Sequence, residues 1–237
     1  MKKIPIIIII TVLIGVGIGG LIILQQLRGG EHKPMVSINE NIKLPEPKYD
    51  SNTSVEQALF ERRSIREYKD TPLTLAEISQ LLWAAQGITY PRWGFRTAPS
   101  AGALYPLELY VVSGNVNGLP KGIYKYRPQG HELVMIVEGD KRTELCNAAL
   151  GQSSIKEAAS VIVFVAVYQR TTGKYGERGI RYVHMEVGHA SQNIYLQAVS
   201  LNLGTVVIGA FDDEDVKKII NTGDEEQPLY LMPVGRK

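Results

Sequence analysis

The sequence predicts an α+β domain, a central mixed β-sheet flanked by helices, set behind one amino-terminal transmembrane helix. Three observations in the body carry the fold class. Ser160–Tyr168 (SVIVFVAVY) is a nearly unbroken apolar run rich in β-branched residues, the pattern of a strand buried on both faces. Gly122–Tyr126 and Glu132–Val137 flank Pro128-Gln129-Gly130, a turn signal that makes the pair a hairpin. Leu75, Ile78, Leu81, Leu82 and Ala85 recur at helical spacing and stop at Gly87. Helices interleaved with hairpin-joined and buried strands pack as layers around one sheet. A chain of 237 residues that is 44% hydrophobic and 21% charged has enough apolar surface for one full-sized core.

Taken in order, residues 1–30 come first as the expected anchor. No charged residue falls between Ile4 and Leu27, and a helix of that length crosses a hydrocarbon core of about 30 Å. The run exceeds a typical signal-peptide core and lacks a clear A-x-A site, which favours an uncleaved anchor over a cleaved signal. Lys2 and Lys3 on one side nearly balance Arg28 and Lys33 on the other, with a lean toward a domain outside the cytoplasm. Gly15-Val16-Gly17-Ile18-Gly19-Gly20 fits the G-x-G-x-x-G fingerprint, but no strand precedes it and no βαβ unit follows, so the nucleotide reading fails. Residues 31–52, with Pro34, Pro45 and Pro47, read as a linker, and residues 53–237 as the folded domain.

Within that domain, Thr53 and Ser54 each have an acid or amide three residues on and open a short helix through about Glu61. Thr74 with Glu77 repeats the signal ahead of the Leu75–Ala85 helix. Leu107–Ser113 alternates as a strand, and Asp140 opens a helix reaching about Leu150. Tyr182–Leu201 is a long helix stopped near Gly204, followed by a buried strand at Thr205–Gly209 (TVVIG). Asp213–Asn221 is a short surface helix and Pro228–Val234 the last strand.

Charge and residue usage exclude several functions. The net charge is +2; without residues 1–33, which contain Lys2, Lys3, Arg28, Lys33 and Glu31, 22 basic side chains face 23 acidic ones. A slightly acidic body has no polyanion-binding field, so nucleic acid is not expected as a partner. The single cysteine, Cys146, forms no internal disulfide and reads as a buried apolar residue. His184 and His189 are five apart, about 140° around a helix, whereas a zinc helix needs i, i+4. Neither a G-x-S-x-G elbow nor a Walker loop is present, which leaves hydrolase and NTP chemistry without footing.

Three segments remain. In ERRSIREY (61–68), Arg62, Ser64 and Arg66 can donate to a phosphate dianion; arginines at a helix end also compensate its dipole. In APSAGALYPLELYVV (98–112), small residues allow backbone to approach something flat, as they also allow a plain tight turn. In ALGQSSIKEAASVIVF, Gln152 precedes the buried strand with no evident turn role.

In this order, and with KYGERGIRY (174–182), GHASQNIYLQAVSLNLGTVVIGAF (188–211) and the closing PLYLMPVG, the body resembles the nitroreductase-like FMN flavoprotein superfamily. The likeness is greatest to its SagB/ThcOx-type dehydrogenase branch and covers about residues 53–235. The resemblance implies an FMN cofactor whose phosphate and ribityl chain are held by Arg62, Ser64 and Arg66, with Arg63 adjacent. It implies that Pro99, Ser100 and Ala101 lie against the flavin ring, usually from the partner subunit of an intertwined homodimer. Gln152 would bond the ring, and Gly209 and Ala210 would lie near its N5 edge. Lys174 and Tyr175 match the acid–base pair of azoline-oxidising members, where a desolvated lysine takes a proton as hydride goes to N5. The expected function is therefore an FMN-dependent oxidoreductase acting on a small-molecule or peptide substrate, an azoline-like ring among the candidates. The alternatives are an NAD(P)H-dependent nitro or quinone reductase and a non-catalytic, membrane-anchored flavin binder.

Overall fold

The computed structural model describes residues 41–237. The expected anchor and the first part of the expected linker lie outside the described residues; within them no helix is long and apolar enough to cross a membrane. In chain order the strands and helices are β1 (Asn41–Lys43), α1 (Val55–Glu61), β2 (Leu73–Thr74), α2 (Leu75–Gln86), β3 (Ile88–Tyr90), β4 (Phe95–Arg96) and β5 (Leu107–Ser113). Then come β6 (Val116–Asn117), β7 (Gly122–Arg127), β8 (Glu132–Glu138), α3 (Arg142–Ala148), α4 (Ser154–Glu157), β9 (Ser160–Val167) and α5 (Gln169–Tyr175). The chain closes with α6 (Arg178–Ser200), β10 (Leu203–Thr205), α7 (Asp213–Ile220) and β11 (Glu226–Arg236).

Seven strands form one sheet in the order β1-β8-β7-β5-β9-β11-β10. Every pairing in it is antiparallel, which corrects the expected mixed sheet. The error has a physical source: an unbroken apolar strand usually signals a parallel sheet covered by helices on both faces. Here both faces are covered although the strands are antiparallel. Ile162, Phe164 and Ala166 of β9 and Leu107, Leu109 and Val111 of β5 face a core shared with α2 and α6. Their neighbours Val161, Val163, Val165, Tyr110 and Val112 face a second core with α3, α4 and α7. The period of two along each strand therefore serves two helical layers at once.

The caps behave as the sequence suggests. Ser54 accepts from Gln57 N at 3.1 Å, and Thr74 and Glu77 form a complete capping box. In α6, Val183, Val187, Ala190, Ile194 and Ala198 make one buried stripe. That helix runs antiparallel to α2: Gln80 bonds Gln197 at 3.2 Å, and Asn193 Nδ2 donates to Ala84 O at 3.0 Å.

Three local expectations need revision. Residues 41–52, read as linker, belong to the body: β1 pairs with β8, Leu44 is buried, and Lys48 N donates to Gln80 Oε1 at 2.8 Å. The long helix, α6, begins at Arg178 rather than Tyr182, and a separate helix, α5, precedes it. Thr205–Gly209 is not a full strand, because β10 ends at Thr205 and only Ile208 returns to the sheet, through a bridge to Leu231.

Candidate functional site

The arginine-rich segment lies as an extended strap over the β10–β11 edge of the sheet. Ile65 N donates to Thr205 O at 2.9 Å, Lys69 N to Arg236 O at 2.9 Å, and the Tyr68 hydroxyl to Ile65 O at 2.7 Å. Glycine makes this approach possible: a Cβ on Gly204 would stand 2.7 Å from Ile65, and one on Gly235 2.7 Å from Tyr68. Above the strap's first residues sits Tyr195 of α6. The Arg62 guanidinium lies 5.2 Å from the centre of its ring, and its hydroxyl bonds the Ser64 hydroxyl at 3.1 Å and accepts from Val207 N at 2.8 Å. Among the described residues, no ion pair involves Arg62, Arg63 or Arg66. Arg63 folds back on the end of α1, donating to Phe60 O at 2.9 Å and Arg62 O at 2.7 Å. Helix-end compensation thus describes Arg63, while Arg62, Ser64 and Arg66 keep donors free for an anion. Arg236 is held in a bidentate pair by Glu77, at 2.6 and 2.9 Å.

The bond to Tyr195 pulls Val207 off the sheet ladder, and the chain then turns outward through Gly209 and Ala210, both exposed. Ala210 O accepts from Gln152 Nε2 at 3.0 Å, and the same nitrogen donates to Ala149 O at 3.1 Å. The predicted residues Arg62, Ser64, Gln152, Gly209 and Ala210 are therefore joined in one line through Tyr195 and Val207–Ala210.

The other predicted residues gather elsewhere. Ser100 opens a tight turn: its hydroxyl accepts from Tyr105 N at 2.9 Å, and Gly102, Ala103 and Tyr105 all have positive φ, at 63°, 54° and 46°. Strain of this kind persists only where the surroundings enforce it. Pro99 is exposed, and Ala101 begins a 3-10 turn whose next residue, Gly102, faces α5. A Cβ on Gly102 would lie 2.8 Å from Tyr175 Oη and 3.0 Å from Lys174 Nζ. The predicted acid–base pair and the small-residue segment are thus in contact. Tyr175 packs edge-on against Tyr182 at 5.2 Å. Lys174 itself is exposed, so the desolvation expected of it is not supplied by this chain alone.

Two functional candidates escaped the sequence reading. Tyr195 looked like one more residue of the apolar helix face. Glu186 is 3% exposed, with Oε1 lacking any hydrogen-bond partner among the described residues. Burial pushes its carboxyl up to about 7, against the opposing effects of the Ser100 hydroxyl and the Arg96 guanidinium. The signal was an acid beside Val183 and Val187 on the buried stripe of α6.

The two clusters lie at opposite ends of α6. Tyr182 and Tyr195 are 13 residues apart, about 20 Å along the axis. The first cluster suits a phosphate-bearing aromatic group: unpaired guanidiniums and a hydroxyl at one end, backbone and an amide at the other. Among the described residues no cluster of three or more His, Cys, Asp or Glu is placed to hold a metal.

The chain is similar to known proteins over most of its length. The sequence profile of the nitroreductase family matches residues 59–236. A protein of Methanocaldococcus jannaschii carrying a nitroreductase name is 53% identical over 183 residues, covering 77% of this chain and 91% of its own. The microcin B17-processing protein McbC of Escherichia coli is 28% identical over 154 residues, 63% of this chain; the match spans 57% of McbC. The crystal structure of a Ralstonia eutropha protein, also named as a nitroreductase, has a TM-score of 0.74 at 30% identity, covering 84% of this chain and 90% of that one.

Proposed function

The chain belongs to the nitroreductase family of flavin oxidoreductases, and from that premise we propose that it is an FMN-dependent dehydrogenase of the SagB/ThcOx type. Members of the family generally use FMN. The observation that carries the proposal is the continuous line from Arg62 and Ser64 through Tyr195 and Val207 to Ala210 and Gln152. Arg62, Ser64 and Arg66 would hold the phosphate by charge-assisted bonds. Gln152 and the Gly209–Ala210 backbone would meet the ring. Bound FMN would supply a two-electron acceptor for the substrate.

Lys174 and Tyr175 would carry the proton that leaves the substrate in the same step. A separation of about 20 Å within one chain supports a homodimer in which one copy's Gly102–Lys174–Tyr175 cluster completes the cofactor site of the other. Exposed Val55, Leu59 and Phe60 on α1 and Ile180 and Met185 on α6 supply apolar surface for such a contact. The uncharged run before the domain supports attachment to a membrane through residues 1–30.

The absorbance spectrum of the purified full chain tests the central claim: stoichiometric flavin supports it, and colourless protein that takes up no added FMN overturns it. The nitroreductase name of the archaeal relative favours a second reading, an NAD(P)H-dependent reductase. Rapid bleaching of the bound flavin by NADH or NADPH selects the reductase; indifference to both selects the dehydrogenase.

A further inference from the structure

One groove has no part in the cofactor reading. It has a volume of about 560 Å³ and is lined by Arg96, Lys125, Arg127 and Arg170 against a single carboxylate, Glu108. Glu108 is shared, lying 2.5 Å from Arg170 and 3.7 Å from Lys125. Lys125 also pairs with Glu226, whose other oxygen accepts from the Tyr110 hydroxyl at 2.6 Å. Among the described residues Arg127 reaches only Glu132, at 4.0 Å. Within ion-pair distance, the four cations have three carboxylates among the described residues, Glu108, Glu226 and Glu132.

Arg96 is the member without a direct ion pair, Glu108 and Glu186 acting on it only at longer range. Among the described residues it pairs with no carboxylate; it donates to Gln86 Oε1 at 2.8 Å and stacks 4.5 Å from the Tyr105 ring centre. Burial pulls its guanidinium below the ordinary arginine value, the mark of a cation held partly out of water. An incoming carboxylate would give it a direct charge-assisted partner.

The groove adjoins the Lys174–Tyr175 cluster. Arg170 and Lys174 are one turn apart on the same face of α5. Arg170 also donates to Tyr105 O at 3.0 Å, and Tyr105 N is bonded to Ser100. Lys125 and Arg127 share one face of β7, about 7 Å apart along the strand. Cations spread along a groove suit successive carboxylates on an extended chain, whereas one phosphate needs donors that converge.

We propose that this groove binds an acidic segment of a peptide substrate, its carboxylates set along Arg127, Lys125, Arg170 and Arg96 so that the neighbouring residue reaches Lys174 and Tyr175. The proposal rests on the oxidoreductase reading for the reaction, and on the groove alone for binding. The probe is N-acetyl-tetraglutamate, titrated calorimetrically into the full chain supplied with FMN at about 0.15 M salt, with tetraglutamine as the neutral isostere. The acidic peptide is expected to bind and the neutral one to fail. Arg127→Gln and Arg96→Gln should each weaken binding by about tenfold, the value of one charge-assisted bond. Lys218→Gln, a remote exposed cation on α7, should leave it unchanged.

Absence of binding, equal binding of tetraglutamine, or equal losses in all three variants would overturn the proposal. Tighter binding of inorganic pyrophosphate than of tetraglutamate would also overturn it, in favour of a phosphate ligand. Flavin content read on the same samples separates the two readings. Colourless protein that binds tetraglutamate keeps the groove and loses the oxidoreductase; yellow protein blind to tetraglutamate does the reverse.

Discussion

The hydroxyls of Ser64 and Tyr195 lie 3.1 Å apart although 131 residues separate them in sequence. Tyr195 also accepts the Val207 N–H and stacks under Arg62, so one phenol positions both ends of the proposed cofactor cradle. Tyr195→Phe keeps the ring and strands a backbone donor. It is expected to lower unfolding free energy by about 1–3 kcal/mol, measured by urea denaturation. Arg62→Ala should instead leave stability nearly unchanged and weaken FMN binding by roughly 10–100-fold, read as flavin retained after gel filtration.

Gly102 has φ +63° and faces Tyr175 Oη and Lys174 Nζ. Gly102→Ala would displace both side-chain ends, since neither is backbone and each can swing away. The expected outcome is a loss of turnover of about tenfold or more with flavin content kept, and a stability cost of about 1 kcal/mol from the left-handed conformation. Unchanged kcat would show that the contact has no part in catalysis.

Glu186 predicts a pH dependence of stability. Its carboxyl is raised from 4.5 to about 7 in the folded protein by burial. The unfolded chain therefore loses this proton first as pH rises, and the native state is favoured by Glu186 below about 4.5 and loses that advantage as pH passes 7. Unfolding free energy should fall between those limits by about 3 kcal/mol more in wild type than in Glu186→Gln. Parallel curves for the two proteins from pH 5 to 8 would rule out the assignment.

Arg236 is held by Glu77 at 2.6 and 2.9 Å, and Glu77 also completes the Thr74 capping box. Arg236→Met should destabilise by about 1–3 kcal/mol while flavin content stays at the wild-type value. A fall in flavin content would place Arg236 in the cofactor site.

Lys174→Ala and Tyr175→Phe test the acid–base pair directly. Each should lower the rate of flavin reduction by substrate by about 10²–10⁴-fold in stopped-flow traces, with the flavin spectrum intact. Traces that overlay the wild type would remove the pair from the mechanism.

Much of the fold was legible because its signals are local. Capping residues at Ser54 and Thr74, the helical stripe of α2 and the apolar period of β9 each arise from a few neighbouring residues. Where the sequence misled, long-range bonds overrode local preference. TVVIG reads as a strand, yet Val207 N is taken by Tyr195 and leaves the ladder. Three glycines punctuate TTGKYGERG, yet α5 runs through the first of them and α6 begins before the last. Gly176, with φ +58°, ends α5, and Gly179 lets the start of α6 pack on Thr172, where a Cβ would lie 2.9 Å from backbone. β1 is too short to carry a pattern and exists because the edge of β8 offers it partners.

By itself the sequence determined the element types, the family likeness and the residue kinds a phosphate and a flat ring would need, because periodicity, capping and motif spacing are written along the chain. Only the tertiary structure decided strand direction, the joining of Arg62, Ser64, Gln152 and Ala210 through Tyr195, and the burial of Glu186. It also placed Lys174 and Tyr175 against Gly102, at the far end of α6. Those facts depend on which surfaces meet when the two cores close on the sheet, and no local pattern encodes that choice.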